Sequence, residues 1–336
     1  MLRQHKRRFI LAILILVLLC TILYKLADRY LIEHVEVIVT PHAATPSAGD
    51  NSDRASNSNS TSSSSAAGAQ TNNSSVTDTA KWDDWSYEDA SQTISIRKVE
   101  TGSGSDKITY YVADVVFNST TNLWTAFAKN AFGTNIIANT SEIAASNNAI
   151  FAINGDYYGF REDGVVIRNG TVYRDEPARE GLVLYEDGTM DSYDELSVSA
   201  ESLLASGASN TFSFGPALVK DGQVADDLDR VRIDNNFGNR SIQNANPRTG
   251  IGMIAPNHYI FVVVDGRSAN YSRGMTLNEF AELFQQLGAT EAYNLDGGGS
   301  STMYFMGRVV NNPLGRGKER GVSDIIYIPQ ASKEAN

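Results

Sequence analysis

Residues 262–301 read VVVDGRSANYSRGMTLNEFAELFQQLGATEAYNLDGGGSS, and this stretch decides the fold class. Val262 to Asp265 opens it as a β-branched run. Thr276 and Glu279 then form a capping box, Phe280, Leu283, Phe284 and Leu287 recur on one helical face, and Gly288 stops the helix. Glu291 to Leu295 is a second strand. Strand, helix, strand in this order reads as a crossover. Both strands end in an aspartate beside glycine, Asp265-Gly266 and Asp296-Gly297.

Upstream the pattern is strand-rich. Thr93 to Val99 and Lys107 to Phe117 alternate apolar with polar positions, and Ala149 to Ile153 is a short apolar run delivering the turn-rich Asn154-Gly155-Asp156. Gly164 to Arg168 and Thr171 to Arg174 flank Asn169-Gly170, the strongest short hairpin signal. Leu182 to Tyr185, with the residues after Asp187-Gly188, suggests a second hairpin. The expectation is an α+β class: a mixed, sheet-rich single globular domain with few helices, spanning residues 81–331.

The amino-terminal part has a different composition. Arg3, Lys6, Arg7 and Arg8 precede a run from Phe9 to Tyr24 without a charged side chain. With Lys25 snorkelling, this run is expected to be a single transmembrane anchor within residues 1–30, uncleaved because no small-x-small site follows. The basic flank would leave the amino terminus cytoplasmic and the C-terminal domain extracellular, a single-pass protein of the cell membrane. Residues 26–39 suggest a helical stub, and the Ser/Asn-rich tract within residues 31–80 a disordered linker that cannot bury enough apolar surface to order itself.

Composition excludes several chemistries. Cys20 is the only cysteine, which leaves the outer portion without disulfides or thiolate metal sites. Of four histidines only His258 lies in the folded domain, which makes histidine-based chemistry a weak expectation and excludes a multi-histidine zinc site. No cofactor is expected; a carboxylate-bound calcium or magnesium stays open, without a loop signature to support it. Residues 81–336 hold 21 Lys plus Arg against 33 Asp plus Glu, a net charge of −12, which disfavours nucleic acid as a partner but leaves anionic small substrates open to a locally positive cleft. The oligomeric state is not legible.

The densest chemical signal is Asn294-Leu295-Asp296-Gly297-Gly298-Gly299-Ser300-Ser301. Three glycines cost backbone entropy and pack nothing, so their expected benefit is close approach of N–H groups to an anionic oxygen, with Asp296 at the rim. Asn154, Gly155, Asp156 and Tyr157 supply amide, carboxylate and ring, a mixture suited to sugars. Arg248, in Asn246-Pro247-Arg248-Thr249-Gly250, offers the planar donor fork that suits phosphate. Asp265-Gly266-Arg267 and Lys318-Glu319-Arg320 add further charges.

Together these stretches resemble the phosphodiester glycosidase family, from roughly Ile150 to Ile328. The matching motifs are NGDYY at 154–158, GVVIRNG at 164–170, RTGIG at 248–252, DGR at 265–267, GMTL at 274–277, NLDGGGSST at 294–302 and RGVSDIIYI at 320–328. Asp156, Tyr157 and Tyr158 stand where mammalian members have glycine and two phenylalanines. The resemblance implies hydrolysis of a sugar-1-phosphodiester, of N-acetylglucosamine type or from a cell-envelope glycan, with release of the sugar.

On that reading Arg248, Arg320 and the backbone from Gly297 to Ser300 take the phosphate, and Asp296 acts as base or nucleophile. Asp265 or Asp156 is the second carboxylate, and Asn154 and Asn294 fix hydroxyls. Two alternatives remain: a metal-dependent phosphodiesterase that cuts P–O, and a non-catalytic module that binds phosphorylated glycans or serves polysaccharide assembly.

Overall fold

The computed structural model describes residues 2–40, 80–120, 122–233 and 242–330. Two mixed-length sheets face one another. The larger has nine strands in the order Gln223–Val224, Ala217–Lys220, Glu291–Leu295, Arg248–Ala255, His258–Val264, Ile108–Phe117, Gln92–Thr101, Ser86–Glu88, Lys81–Trp82. The smaller has five, in the order Arg308–Val309, Met303–Phe305, Ala149–Asn154, Asp324–Pro329, Trp124–Phe127.

Period-two alternation sets the layers. Ile251, Tyr259, Phe261 and Val263 of the larger sheet meet Phe151, Ile153, Met303 and Ile326 of the smaller in one buried core. The outer face of the larger sheet, with Val262 and Val264, is covered by the helix Leu277–Gln286 through Phe280, Leu283 and Phe284. Gly250 and Gly252 make this approach feasible, because a Cβ on either would stand 2.9 or 2.7 Å from the rings of Phe280 and Phe284. The outer face of the smaller sheet, with Ala152, Ile325 and Tyr327, is covered by the helix Thr140–Ser146 through Ile143 and Ala144. The section is therefore helix, sheet, sheet, helix. A three-stranded sheet and the hairpin Gly164–Arg168/Thr171–Glu176 share a satellite core with the helix Ala200–Ala205.

The local signals form as the residue chemistry requires. Thr276 and Glu279 exchange both capping-box hydrogen bonds, and Asn169 and Gly170 carry the positive φ angles, 50° and 75°, of a tight hairpin. The crossover is present with an insertion. Both His258–Val264 and Glu291–Leu295 pair antiparallel with Arg248–Ala255, so they run parallel to each other with that strand between them.

This registry gathers strand ends. Arg248 pairs with Val264, Thr249 with Leu295, Met303 with Ile153 and Ile325 with Asn154. Residues 154–157, 246–248, 265–267, 296–301 and 320–324 thus emerge at the same end of the sandwich.

The amino-terminal expectation needs correction. A helix does run from Leu2 to Tyr30, but among the described residues no helix is long and apolar enough to cross a membrane. The charge-free run Phe9 to Tyr24 gives roughly 24 Å of helix at 1.5 Å per residue, short of a hydrocarbon core of about 30 Å. With the span goes the basis for the single-pass orientation. The stub expected over residues 26–39 also differs. The helix ends at Tyr30, and His34–Ile38 is a strand pairing antiparallel with Ala131–Thr134. The Ser/Asn-rich tract, residues 41–79, lies outside the described residues.

Candidate active site

Asp296 follows directly on the strand Glu291–Leu295, where its carboxylate is nearly buried. Its Oδ2 accepts from Ser300 Oγ at 2.5 Å and from Arg320 Nη2 at 2.8 Å, and Arg320 also donates to Ser300 Oγ. Among the described residues no donor is bonded to Oδ1. Burial raises the Asp296 pKa, and the Arg320 charge and the Ser300 hydroxyl oppose the shift. Asn154 braces the same residue from behind. Its Nδ2 donates to the Asp296 carbonyl at 2.7 Å, while its Oδ1 accepts from Thr249 Oγ1 at 2.8 Å and the Thr302 N–H at 3.2 Å.

Asp296 lines a cleft of about 180 Å³ together with Tyr157, Phe214, Asn246, Arg248, Arg267 and Arg320. Arg248 is 3% exposed, its Nε donating to Met275 O at 2.9 Å and its Nη2 to the carbonyls of Ile242 and Asn244. Burial, and then the neighbouring Arg267, pushes its guanidinium pKa down to about 10. Arg267 gives Nε and Nη2 to Asn246 Oδ1, at 3.2 and 2.8 Å. Among the described residues no carboxylate pairs with either arginine. The opposite wall is aromatic: Tyr157 stacks on Phe160 at 4.8 Å and meets Phe214 edge-on at 6.2 Å, with the Arg161 guanidinium 5.1 Å from both rings.

The glycine turn makes this density of cations feasible. A Cβ on Gly297 would lie 2.7 Å from the Pro247 carbonyl, one on Gly298 3.3 Å from Arg267 Nη1, and one on Gly299 3.1 Å from Arg320 Cβ. The turn's own N–H groups are partly used inside the protein, Gly298 N–H on Pro247 O at 3.0 Å and Ser300 N–H on Gly297 O at 3.3 Å. What the missing side chains admit here is arginine.

A family profile described as phosphodiester glycosidase (NAGPA) matches residues 147–329, more than half of the chain and all of the cleft. The chain belongs to the phosphodiester glycosidase family. The SPbeta prophage-derived uncharacterized protein YomE of Bacillus subtilis (strain 168) is 34% identical over 206 residues, 59% of this chain and 30% of that protein. The chain therefore spans about a third of that relative's length. The fold is similar to that of the zebrafish N-acetylglucosamine-1-phosphodiester alpha-N-acetylglucosaminidase catalytic domain auto-inhibited by its pro-peptide. The TM-score is 0.55 at 18% identity, covering 71% of this chain and 83% of the other. A hypothetical protein from Synechocystis is similar at TM-score 0.53 and 15% identity, covering 70% and 62%.

The structure brings some of the sequence-derived candidates together and separates others. Asp296, Arg248, Arg320, Tyr157, Gly297 and Gly298 line the cleft. Asp265 and Asp156 do not, and both are committed elsewhere. Asp265 accepts from Tyr271 Oη at 2.7 Å, Asn311 Nδ2 at 2.8 Å and the Asn312 N–H, with burial raising its pKa. Asp156 accepts the N–H groups of Tyr157 and Ser213, both at 2.6 Å, and lies 3.8 Å from Arg168, which is ion-paired at 2.7 Å with Asp324. The three aspartates expected to share one site thus become one cleft carboxylate and two internal clamps. Asn294, expected to fix a hydroxyl, turns its Nδ2 to Gly215 O at 2.9 Å, behind the wall that carries Phe214. Gly155 lies beneath the site, where a Cβ would stand 2.3 Å from Asp324 Oδ1.

Sequence reasoning passed over Arg267, Phe214 and Asn246. Arg267 was visible only as a charge after Asp265-Gly266. Its left-handed backbone, φ 56°, which turns it over Gly298, has no signal in composition or spacing.

Proposed function

We propose that this domain hydrolyses the C1–O bond of a sugar-1-phosphodiester and releases the sugar. The observation that carries the reading is that Asp296, the cleft's one carboxylate among the described residues, faces Arg248, Arg267 and Arg320 opposite the aromatic wall of Tyr157 and Phe214, within a family of phosphodiester glycosidases. Guanidinium groups match the phosphate, and Tyr157 and Phe214 offer faces to the C–H surface of a sugar ring.

In such a substrate the leaving group is a phosphate monoester, which departs without a strong general acid. What the transition state requires is charge stabilisation on the phosphate and a carboxylate at the developing oxocarbenium carbon. A single carboxylate among the described cleft residues suits this demand. Asp296 then acts on C1 or on the attacking water through Oδ1, while Ser300 and Arg320 hold Oδ2 and fix its orientation. Asn154 is a positioning residue acting through the Asp296 backbone.

Incubating the full chain with N-acetylglucosamine-1-phosphodiesters of simple alcohols and identifying both products tests the reading. In oxygen-18-labelled water the expected result is free reducing sugar carrying the label with an unlabelled alkyl phosphate; label in the alkyl phosphate assigns the break to P–O. Sugar phosphate with free alcohol points to P–O cleavage instead, and binding without turnover points to a glycan-binding module.

A further inference from the structure

The charge of the cleft exceeds what its substrate would bring. Arg320 is balanced by Asp296 at 2.8 Å. Arg248 and Arg267 have only neutral acceptors: backbone carbonyls for the first, the Asn246 amide oxygen for the second. Each keeps an Nη1 with no acceptor among the described residues. Two cations held close together, one of them almost wholly buried, repel each other, and desolvation adds to their cost. The ligand that relieves both costs carries two negative charges.

A phosphodiester carries one. On C1–O hydrolysis the electron pair of that bond stays with the phosphate oxygen, and water's oxygen bonds to C1. One water proton remains on the sugar hydroxyl. The other goes to the phosphate, and above that group's second pKa of about 6 it passes on to solvent. The alkyl phosphate left behind is then a dianion.

Resting on the hydrolase reading above, we infer that the Arg248–Arg267 pair is matched to the phosphate monoester product, so that this product binds more tightly than the diester and inhibits the enzyme. The same match stabilises the second charge as it develops on the leaving phosphate, which accelerates the chemical step at the cost of slow product departure.

The charged groups of the cleft are Arg248, Arg267, Arg320 and Asp296; Arg161 and Asp156 lie near enough to act on Asp296, and Glu279, paired with Arg273, near enough to act on Arg248. At pH 5.0, where monoester and diester are both monoanions, protonation of Asp296 favours the two alike. The ratio of monoester to diester affinity is therefore the quantity to measure.

Titration calorimetry of the full chain compares methyl phosphate with dimethyl phosphate at pH 7.5 and pH 5.0. Methyl phosphate is expected to bind about 10-fold or more tightly than dimethyl phosphate at pH 7.5. The advantage should shrink at pH 5.0, where the monoester is a monoanion, and Arg267→Gln should reduce it at pH 7.5. Equal affinities at pH 7.5, or an advantage unchanged at pH 5.0, overturn the inference. Competitive inhibition of sugar release by methyl phosphate supports it, and absence of inhibition at saturating methyl phosphate overturns it. These outcomes separate from those of the reaction itself. A chain that releases no sugar but still prefers the monoester loses the hydrolase reading alone, and one that releases sugar without the preference loses only the product-binding inference.

Discussion

Asp296 has one oxygen held by Ser300 and Arg320 and the other, among the described residues, off protein donors, so replacing it separates chemistry from binding. Asp296→Asn is expected to lower kcat by ~10³-fold or more with little change in affinity, whereas Arg248→Ala should lower kcat and raise KM together. Arg248→Lys should recover only part, because an ammonium lacks the paired donors. Near-normal turnover of the Asn variant places the chemistry elsewhere. The pH profile follows from the same contacts. Burial raises the Asp296 pKa and Arg320 opposes it, so the acid limb of kcat/KM lies above the ordinary aspartate range and should move further up in Arg320→Ala. A limb that stays in place in that variant assigns it to another group. His258 should contribute no limb. It pairs with Asp114 at 2.9 Å and starts a strand whose far end, six residues on, is at the cleft, roughly 20 Å away. Asp324 gives a stability test. Its carboxyl is pushed up to about 6 by burial, against the opposing Arg168 charge. With the folded pKa above the unfolded one, its contribution is full at acid pH and is lost as pH rises through about 6. Asp324→Ala removes the acceptor of the Asp156 N–H and leaves Arg168 a carboxylate only at 3.8 Å, and should cost about 3–5 kcal/mol at neutral pH by chemical denaturation. The gap from the unmodified chain should widen as pH falls through 6.

At the scale of elements, the strand His34–Ile38 is joined to the cleft by a short relay. Asn135 Nδ2 donates to the carbonyls of Asp28, Arg29 and Ile32 at 3.2, 3.1 and 2.9 Å, satisfying the open end of the amino-terminal helix. The Asn135 N–H in turn donates to Gly159 O at 2.8 Å, and Phe132 stacks on Tyr158 at 5.2 Å, in the loop that carries Tyr157 and Arg161. Gly133 permits the pairing, since a Cβ there would lie 1.9 Å from His34 O. Deleting residues 2–40 should speed amide exchange at 131–135 and 157–161 and raise KM more than it lowers kcat. Unchanged exchange at 157–161 would show the relay to be inert. This strand was unreadable in sequence because strand formation at an edge is decided by a partner, here Ala131–Thr134, far along the chain. The helix Leu277–Gln286 was readable because its cap, its apolar face and its terminating glycine are all local.

Over the whole molecule the formal net charge is −11, yet the cleft presents three guanidinium groups. Within a Debye length of about 8–10 Å the cleft's own field decides binding, and farther out the acidic surface repels an anion. With the cleft dominant, KM for a sugar-1-phosphodiester should rise as salt increases from low to physiological levels, whereas binding of an uncharged glycoside should not respond. A KM that falls with added salt would make the surface field the controlling one.

The sequence alone determined the capped helix, the two strands of the crossover, the Asn169-Gly170 hairpin and the order of motifs, because each rests on contacts between residues close in the chain. It also singled out Asp296 and Arg248, since a triple glycine beside aspartate and an arginine at a strand start are local anomalies, and Arg320 through the family resemblance; the structure brings the three to one cleft. It did not determine which aspartates share the cleft. Asp156, Asp265 and Asp296 all follow strands and sit beside glycine or an aromatic residue, and only the tertiary structure gives Asp156 to Ser213 and Tyr157, Asp265 to Tyr271 and Asn311, and Asp296 to the cavity. A carboxylate's role is set by the donors that reach it, and those donors come from segments whose proximity is created by the register of the two sheets.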